Sequence, residues 1–98
     1  MIMKIYVDID NTICKTEGTD YKSAMPIKSN IKKINNLFEK GHEIIYWTAR
    51  GTVTRINHYD LTLSQLKKWN CKFHSLSVGE KPNYDLLICD KTKRIEEI

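Results

Sequence analysis

The sequence predicts an α/β domain, a three-layer parallel sheet flanked by helices. Three observations predict it. Short β-branched and apolar runs recur around residues 2–9, 42–48, 72–78 and 85–90. Between them lie stretches with apolar residues at helical spacing, so strands alternate with helices, the pattern of a parallel sheet. The chain has 98 residues, enough for one core and one domain spanning 1–98, but not for two.

Residues 2–9, "IMKIYVDI", form the first expected strand: short, β-branched and mostly apolar, as in the middle of a parallel sheet. Residues 11–27 show no periodicity and contain Gly18 and Pro26. They read as a loop, long enough to suggest a functional one. Ser29 or Asn30 can cap the helix that follows, in which Ile31, Ile34, Leu37 and Phe38 share a face, and Gly41 ends it. "HEIIYWTAR", His42 to Arg50, carries a second strand ending at Thr48, and Gly51 and Thr52 begin a turn.

A second helix is expected from about Arg55 to Asn70, with Ile56, Tyr59, Leu63, Leu66 and Trp69 as its buried face. "KFHSLSV", Lys72 to Val78, is a short third strand. "GEKPNY" is a turn, "DLLICD" (Asp85 to Asp90) a fourth strand, and "KTKRIEEI" a terminal helix.

Composition narrows the function classes. The net charge of +4 and a pI near 9.0 favour anionic ligands in general. The basic residues are scattered in pairs such as Lys32-Lys33 that suit solvated helix faces, and no motif supports nucleic-acid binding. Three cysteines, Cys14, Cys71 and Cys89, make an odd number without a CxxC spacing. That fits a reduced, cytoplasmic chain better than a disulfide scaffold or a zinc site. No apolar run is long enough for a signal peptide or a membrane span.

The chemistry concentrates where the strands end. In open parallel sheets, sites form beyond the carboxyl ends of the strands. Asp8 and Asp10 follow the first strand, Thr48 the second, Lys81 the third and Asp90 the fourth. Clustered carboxylates at one edge want a hard cation such as Mg²⁺, which takes one or two carboxylates, carbonyl oxygens, waters and a phosphate oxygen. Thr48 can donate to a phosphate oxygen and Lys81 can neutralise it. Asp8 is then a plausible nucleophile for phosphorus, with Asp10 placed as general acid and base. Alone, each residue has a plainer reading: a turn former at Asp8 and Asp10, a strand end at Thr48, a surface lysine at Lys81, a helix cap at Asp90. Together they point to a site. The histidines, His42, His58 and His74, lack metal-ligand spacing, and Trp47 and Trp69 fit the core.

"DIDNT" (Asp8 to Thr12) resembles the DxDxT motif of the haloacid dehalogenase-like superfamily of phosphohydrolases. "WTAR" (Trp47 to Arg50) resembles its second motif, Lys81 in "GEKP" its third-motif lysine, and "YDLLICDK" (Tyr84 to Lys91) its acidic fourth motif. All four occur in order and span nearly the whole chain. The resemblance implies a Rossmann-like sheet of strand order 3-2-1-4. It implies Asp8 as the nucleophile that forms an aspartyl-phosphate, Asp10 as general acid/base, and Thr48 and Lys81 as phosphoryl-binding groups. Arg50 is a candidate substrate contact or, equally, the partner of a surface carboxylate, and Asn11 is a further candidate substrate contact. Asp8, the backbone carbonyl of Asp10, and Asp90 would hold Mg²⁺.

The length implies the capless type, with no cap domain. "DYKSAMPI", "GHEIIYWTARG" and "KPNYDLLICDK" further resemble small phosphatases found with capsule or surface-polysaccharide synthesis genes. The implied substrate is a small phosphorylated metabolite, a sugar phosphate or a nucleotide-linked compound. An open site suits a large substrate, or a second copy of the chain in a homo-oligomer that closes it. One departure stands out: the fourth motif is often two adjacent aspartates, and here it reads Cys89-Asp90. That raises the alternative of a catalytically weak or inactive binding or regulatory module. A phosphorylation-receiving signalling domain is rejected because its acceptor aspartate would end the third strand, which carries none.

Overall fold

The structure, a computed structural model, describes residues 2–50 and 57–79, and residues 86–88 as backbone. Its elements run β1 (Lys4–Asp8), β2 (Cys14–Lys15), a single 3₁₀ turn (Tyr21–Ser23), β3 (Met25–Pro26), α1 (Lys28–Glu39), β4 (Glu43–Thr48), α2 (Tyr59–Lys68), β5 (Ser75–Val78) and β6 (Leu86–Ile88). The turn at Gly51 and Thr52, Lys81, Cys89, Asp90 and the terminal helix expected from Lys91 lie outside the described residues.

The main sheet is parallel, in the order β5-β4-β1-β6. Ile5 lies opposite Ile44 and Val7 opposite Tyr46. Paired residues in a sheet point to the same face and successive ones to opposite faces. One face therefore carries Ile5, Val7, Ile44 and Tyr46, all essentially inaccessible to solvent, packed with Ile31 and Ile34 of α1 and Leu66 of α2. The other carries Tyr6 and Ile45 with Trp47 against them.

This corrects the expected architecture in two respects. The strands do not all join one continuous three-layer sheet. They divide between two sheets, because the segment read as a loop folds into an antiparallel pair, Cys14 opposite Pro26 and Lys15 opposite Met25. Strands of two residues are too short to show a period of two. And both described helices pack on the same face of the main sheet, whereas a three-layer sheet needs helices on both.

The helix ends differ in instructive ways. α1 begins one residue before Ser29, with Ile27 at its cap and no side-chain cap hydrogen bond. Asn30, free to cap by type, instead donates its amide to the Thr12 carbonyl at 2.9 Å, tying the helix to the turn after β1. At the other end Gly41 adopts φ +96°, and the amides of Gly41 and His42 donate to the carbonyls of Phe38 and Leu37. That is the left-handed helix stop in which glycine avoids the Cβ penalty.

α2 starts at Tyr59, and its buried residues are Thr62, Gln65 and Leu66. Tyr59, expected inside, is exposed. The helix turns two polar side chains inward because a buried charge lies beneath it. Among the described residues no helix is long and apolar enough to cross a membrane.

Candidate active site

The carboxyl edge of the main sheet places Asp8 at the end of β1 and Thr48 at the end of the neighbouring β4. Asp8 pairs across the ladder with Trp47, one residue before Thr48. Asp8 is half-buried, and its Oδ1 accepts the Ile9 amide at 2.8 Å. The chain then turns tightly: the amides of Thr12 and Ile13 both donate to the Ile9 carbonyl, at 3.1 and 3.0 Å. Asn11 makes this possible by adopting φ +63°, a left-handed conformation that asparagine tolerates better than most residues. The turn swings the Asp10 carboxylate back across the edge towards Thr48.

Asp10 meets Arg50 there. Arg50 Nη2 lies 2.7 Å from Oδ1 of Asp10 and Nε 3.0 Å from Oδ2, a bidentate fork. The Arg50 side chain is completely buried, that of Asp10 about one-fifth exposed. A buried guanidinium must spend its remaining donors. Nη1 donates to Gln65 Oε1 at 2.6 Å and Thr62 Oγ1 at 3.2 Å, which accounts for its two protons.

The supports are themselves oriented. The Thr62 hydroxyl donates to the His58 carbonyl at 2.7 Å, so its oxygen faces Arg50 as an acceptor. Gln65 Nε2 donates to the Tyr21 carbonyl at 2.6 Å, which fixes the amide with its oxygen towards the guanidinium. The Tyr21 ring covers the charge, with its centroid 4.7 Å from Cζ, a cation–π arrangement. His58 packs edge-on against that ring.

Oδ1 of Asp10 also accepts the Thr16 hydroxyl at 2.6 Å. Oδ2 has the longer contacts, Nε at 3.0 Å and Thr48 Oγ1 at 3.4 Å. Burial alone would push the carboxyl pKa up, but the hydrogen bonds from Arg50, Thr16 and Thr48 and the arginine's charge outweigh it. The group sits below the ordinary carboxylate range and is ionised at neutral pH. Cys14 lies beside it, with Sγ 3.9 Å from Oδ1. Burial pushes this thiol up, and the neighbouring carboxylate adds to the effect.

The structure thus brings Asp10, Thr48 and Arg50 together and places Asp8 at the same edge. Thr48 is buried, and its Oγ1 also accepts the Arg50 amide at 3.2 Å. Asn11 shapes the turn, and its Oδ1 accepts the Thr16 amide at 3.5 Å. Lys81 and Asp90 lie outside the described residues. Thr16, Thr62 and Gln65 were not anticipated, although Thr62 and Gln65, three apart within the apolar run of α2, were a signal of a polar stripe.

For Mg²⁺, the chemistry of the donors divides. The Asp8 carboxylate and the Asp10 main-chain oxygen are hard donors of the kind this ion takes. The Asp10 carboxylate is committed to Arg50. Among the described residues, no group of three or more His, Cys, Asp or Glu is arranged to hold a metal.

No family model matches the chain, and neither does any curated protein. A solved structure does: a target protein from Vibrio cholerae, 25% identical, superposes with a TM-score of 0.72 over 82% of this chain and 72% of that one. The similarity is one of fold and carries no assigned activity.

Proposed function

We propose that this chain is a phosphomonoesterase that works through an aspartyl-phosphate on Asp8, as its motifs imply. What supports the reading is the convergence at one sheet edge of Asp8, Asp10 and Thr48, with the Asp10 carboxylate oriented by a buried arginine. A surface turn has no need of such an orienting group.

In this reading Asp8 attacks phosphorus while the bond to the leaving oxygen breaks, and Asp10 gives that oxygen its proton. Water then attacks the phosphorus of the aspartyl-phosphate, Asp10 takes the water's proton, and the bond to Asp8 breaks to release phosphate. Oδ2 is the working oxygen of Asp10, since Oδ1 takes the shorter contacts, from Arg50 Nη2 and Thr16, and Oδ2 the longer ones, from Arg50 Nε and Thr48. The ionised state described above is the one that accepts a proton from water. The protonated state needed first is favoured when an anionic phosphoryl group arrives beside it. Thr48, whose contact with Oδ2 is long, would turn its hydroxyl to a phosphoryl oxygen, and Lys81 would neutralise that group.

Asp8, the Asp10 carbonyl and Asp90 would hold Mg²⁺, which when bound offsets the negative charge shared by the carboxylates and the phosphate. The proposed substrate is a small phosphorylated metabolite, a sugar phosphate or nucleotide-linked compound, of surface-polysaccharide synthesis in the cytoplasm. The test is phosphate release from an aryl phosphate, with and without Mg²⁺, in wild type and Asp8→Asn. Activity that needs both the ion and Asp8 is expected. A folded Asp8→Asn protein with full activity would sink the mechanism.

A further inference from the structure

The sequence leaves Arg50 between a substrate contact and a carboxylate partner, and the geometry decides for the second, with a largely buried carboxylate. We infer that Arg50 is a positioning residue that locks the Asp10 carboxylate in its working orientation, and that Gln65 and Thr62 of α2 act through it. The inference rests on the hydrolase reading for its catalytic consequence, and on contacts for its substance.

Three observations carry it. First, the Arg50 side chain has no exposed surface, and four of its five N–H donors are spent, two on Asp10 and two on α2. The remaining Nη2 proton is buried with the rest of the side chain and offers no exposed face to a substrate group. Second, the pair approaches side-on through Nε and Nη2, with both contacts at or below 3.0 Å. A planar fork fixes the plane of a carboxylate as well as its distance, which an ammonium cannot do. Third, the network continues past the arginine. Gln65 joins Nη1 on one side to the Tyr21 carbonyl on the other, while Thr16 binds the carboxylate from the same segment of chain that carries Tyr21. The segment 16–21 and α2 are therefore braced on one charge pair, and Asp10 is held from both sides.

The fork holds both oxygens and turns Oδ2, which takes Nε at 3.0 Å, towards Thr48 at 3.4 Å. A loss of that orientation slows proton transfer without removing a binding contact. The effect belongs in kcat rather than KM.

The experiment measures kcat and KM on an aryl phosphate with Mg²⁺ for wild type, Arg50→Lys, Gln65→Leu and the double variant, each shown to be folded by circular dichroism. Arg50→Lys is expected to lower kcat by about 10²-fold, the scale of a small misplacement of a catalytic group. Gln65→Leu lowers it about tenfold, and KM stays within about twofold in each. The double variant is no slower than Arg50→Lys alone, because Gln65 acts through the arginine. Independent, multiplying losses, a change confined to KM, or wild-type kcat in Arg50→Lys each overturn the assignment.

Nitrogen-15 NMR of the arginine Nε–H serves as a readout that needs no turnover. A protected Arg50 resonance at neutral pH, lost in Asp10→Asn and weakened in Gln65→Leu, supports the positioning role even if wild type fails to cleave the aryl phosphate. That failure would count against the hydrolase reading alone. An Arg50 resonance that exchanges freely in wild type overturns the assignment.

Discussion

The two ends of the main sheet solve the same problem with different chemistry. Each must satisfy backbone and side-chain groups where the strands stop. At the amino end single ring nitrogens serve: Nδ1 of His42 accepts the Met3 amide at 3.1 Å, and Nδ1 of His74 accepts the Ile44 amide at 3.0 Å. At the carboxyl end a full ion pair, Asp10 with Arg50, is sunk into the protein and laced to α2. The amino end uses the least costly groups that finish a ladder. The carboxyl end carries charge that must be paired to be tolerated, and stability alone would not select it over apolar packing. The difference marks the carboxyl end as the end with work to do.

The comparison breaks most sharply at Arg50. Arg50→Leu strips the guanidinium from a largely buried carboxylate, and a loss of about 3 kcal/mol is expected, the scale for orphaning one member of a buried pair. Urea unfolding measures it. A loss below about 1 kcal/mol would show that Asp10 finds water readily, and the two ends would then be alike.

Acidity sharpens the same contrast. The Asp10 carboxyl pKa lies below its ordinary value of 3.8 in the folded protein. A depressed folded value means that the native state holds the proton less tightly than the unfolded chain. The pair's contribution is therefore complete above the ordinary carboxylate range and is lost as pH falls through the folded value. Thermal melts of wild type and Asp10→Asn from pH 7 down to pH 2 check this: the difference between them should hold steady above about pH 5 and change only below it. A difference that changes between pH 6 and 8 would assign the linkage to another group.

Next in size is the brace itself. Gln65→Leu keeps the volume of the helix face and removes both hydrogen bonds of the amide, leaving one Arg50 Nη1 proton without its partner and the Tyr21 carbonyl short of one. About 2 kcal/mol is expected, since a hydrogen bond to a charged group is worth more than a neutral one. Urea unfolding again measures it, and an unchanged midpoint would mean that the segment around Tyr21 is held without α2.

These residues also show what the sequence could and could not tell. The strands β1 and β4 were legible because their interiors are unbroken apolar runs, and Asp8 and Thr48 were legible because they end those runs. The antiparallel pair at Cys14–Lys15 and Met25–Pro26 was not, since strands of two residues are too short to show a period. That Arg50 could pair with a carboxylate was legible, but which one, and its tie to α2, was hidden for a different reason. Its partners come from positions 10, 62 and 65, and a polar contact between distant segments leaves no local pattern. The inward turn of Thr62 and Gln65 against the apolar face expected of α2 is the physical trace of it: a buried charge overrode the hydrophobic stripe.

The smallest effect belongs to the quiet end. His74 is exposed, but its ring stacks near Phe38 with centroids 4.8 Å apart, and Nδ1 takes the Ile44 amide while the His74 amide donates back to the Ile44 carbonyl. Nδ1 serves here as the acceptor for a strand amide. His74→Phe keeps the ring and the backbone bond and removes only the acceptor. It should cost about 1 kcal/mol by urea unfolding and leave kcat on an aryl phosphate unchanged, because among the described residues the side chains on Asp10 are those of Cys14, Thr16, Thr48 and Arg50 and not His74. If His74→Phe instead slowed turnover as Gln65→Leu is expected to do, the two ends of the sheet would be coupled through β4. The division between a finishing edge and a working edge would then have to be given up.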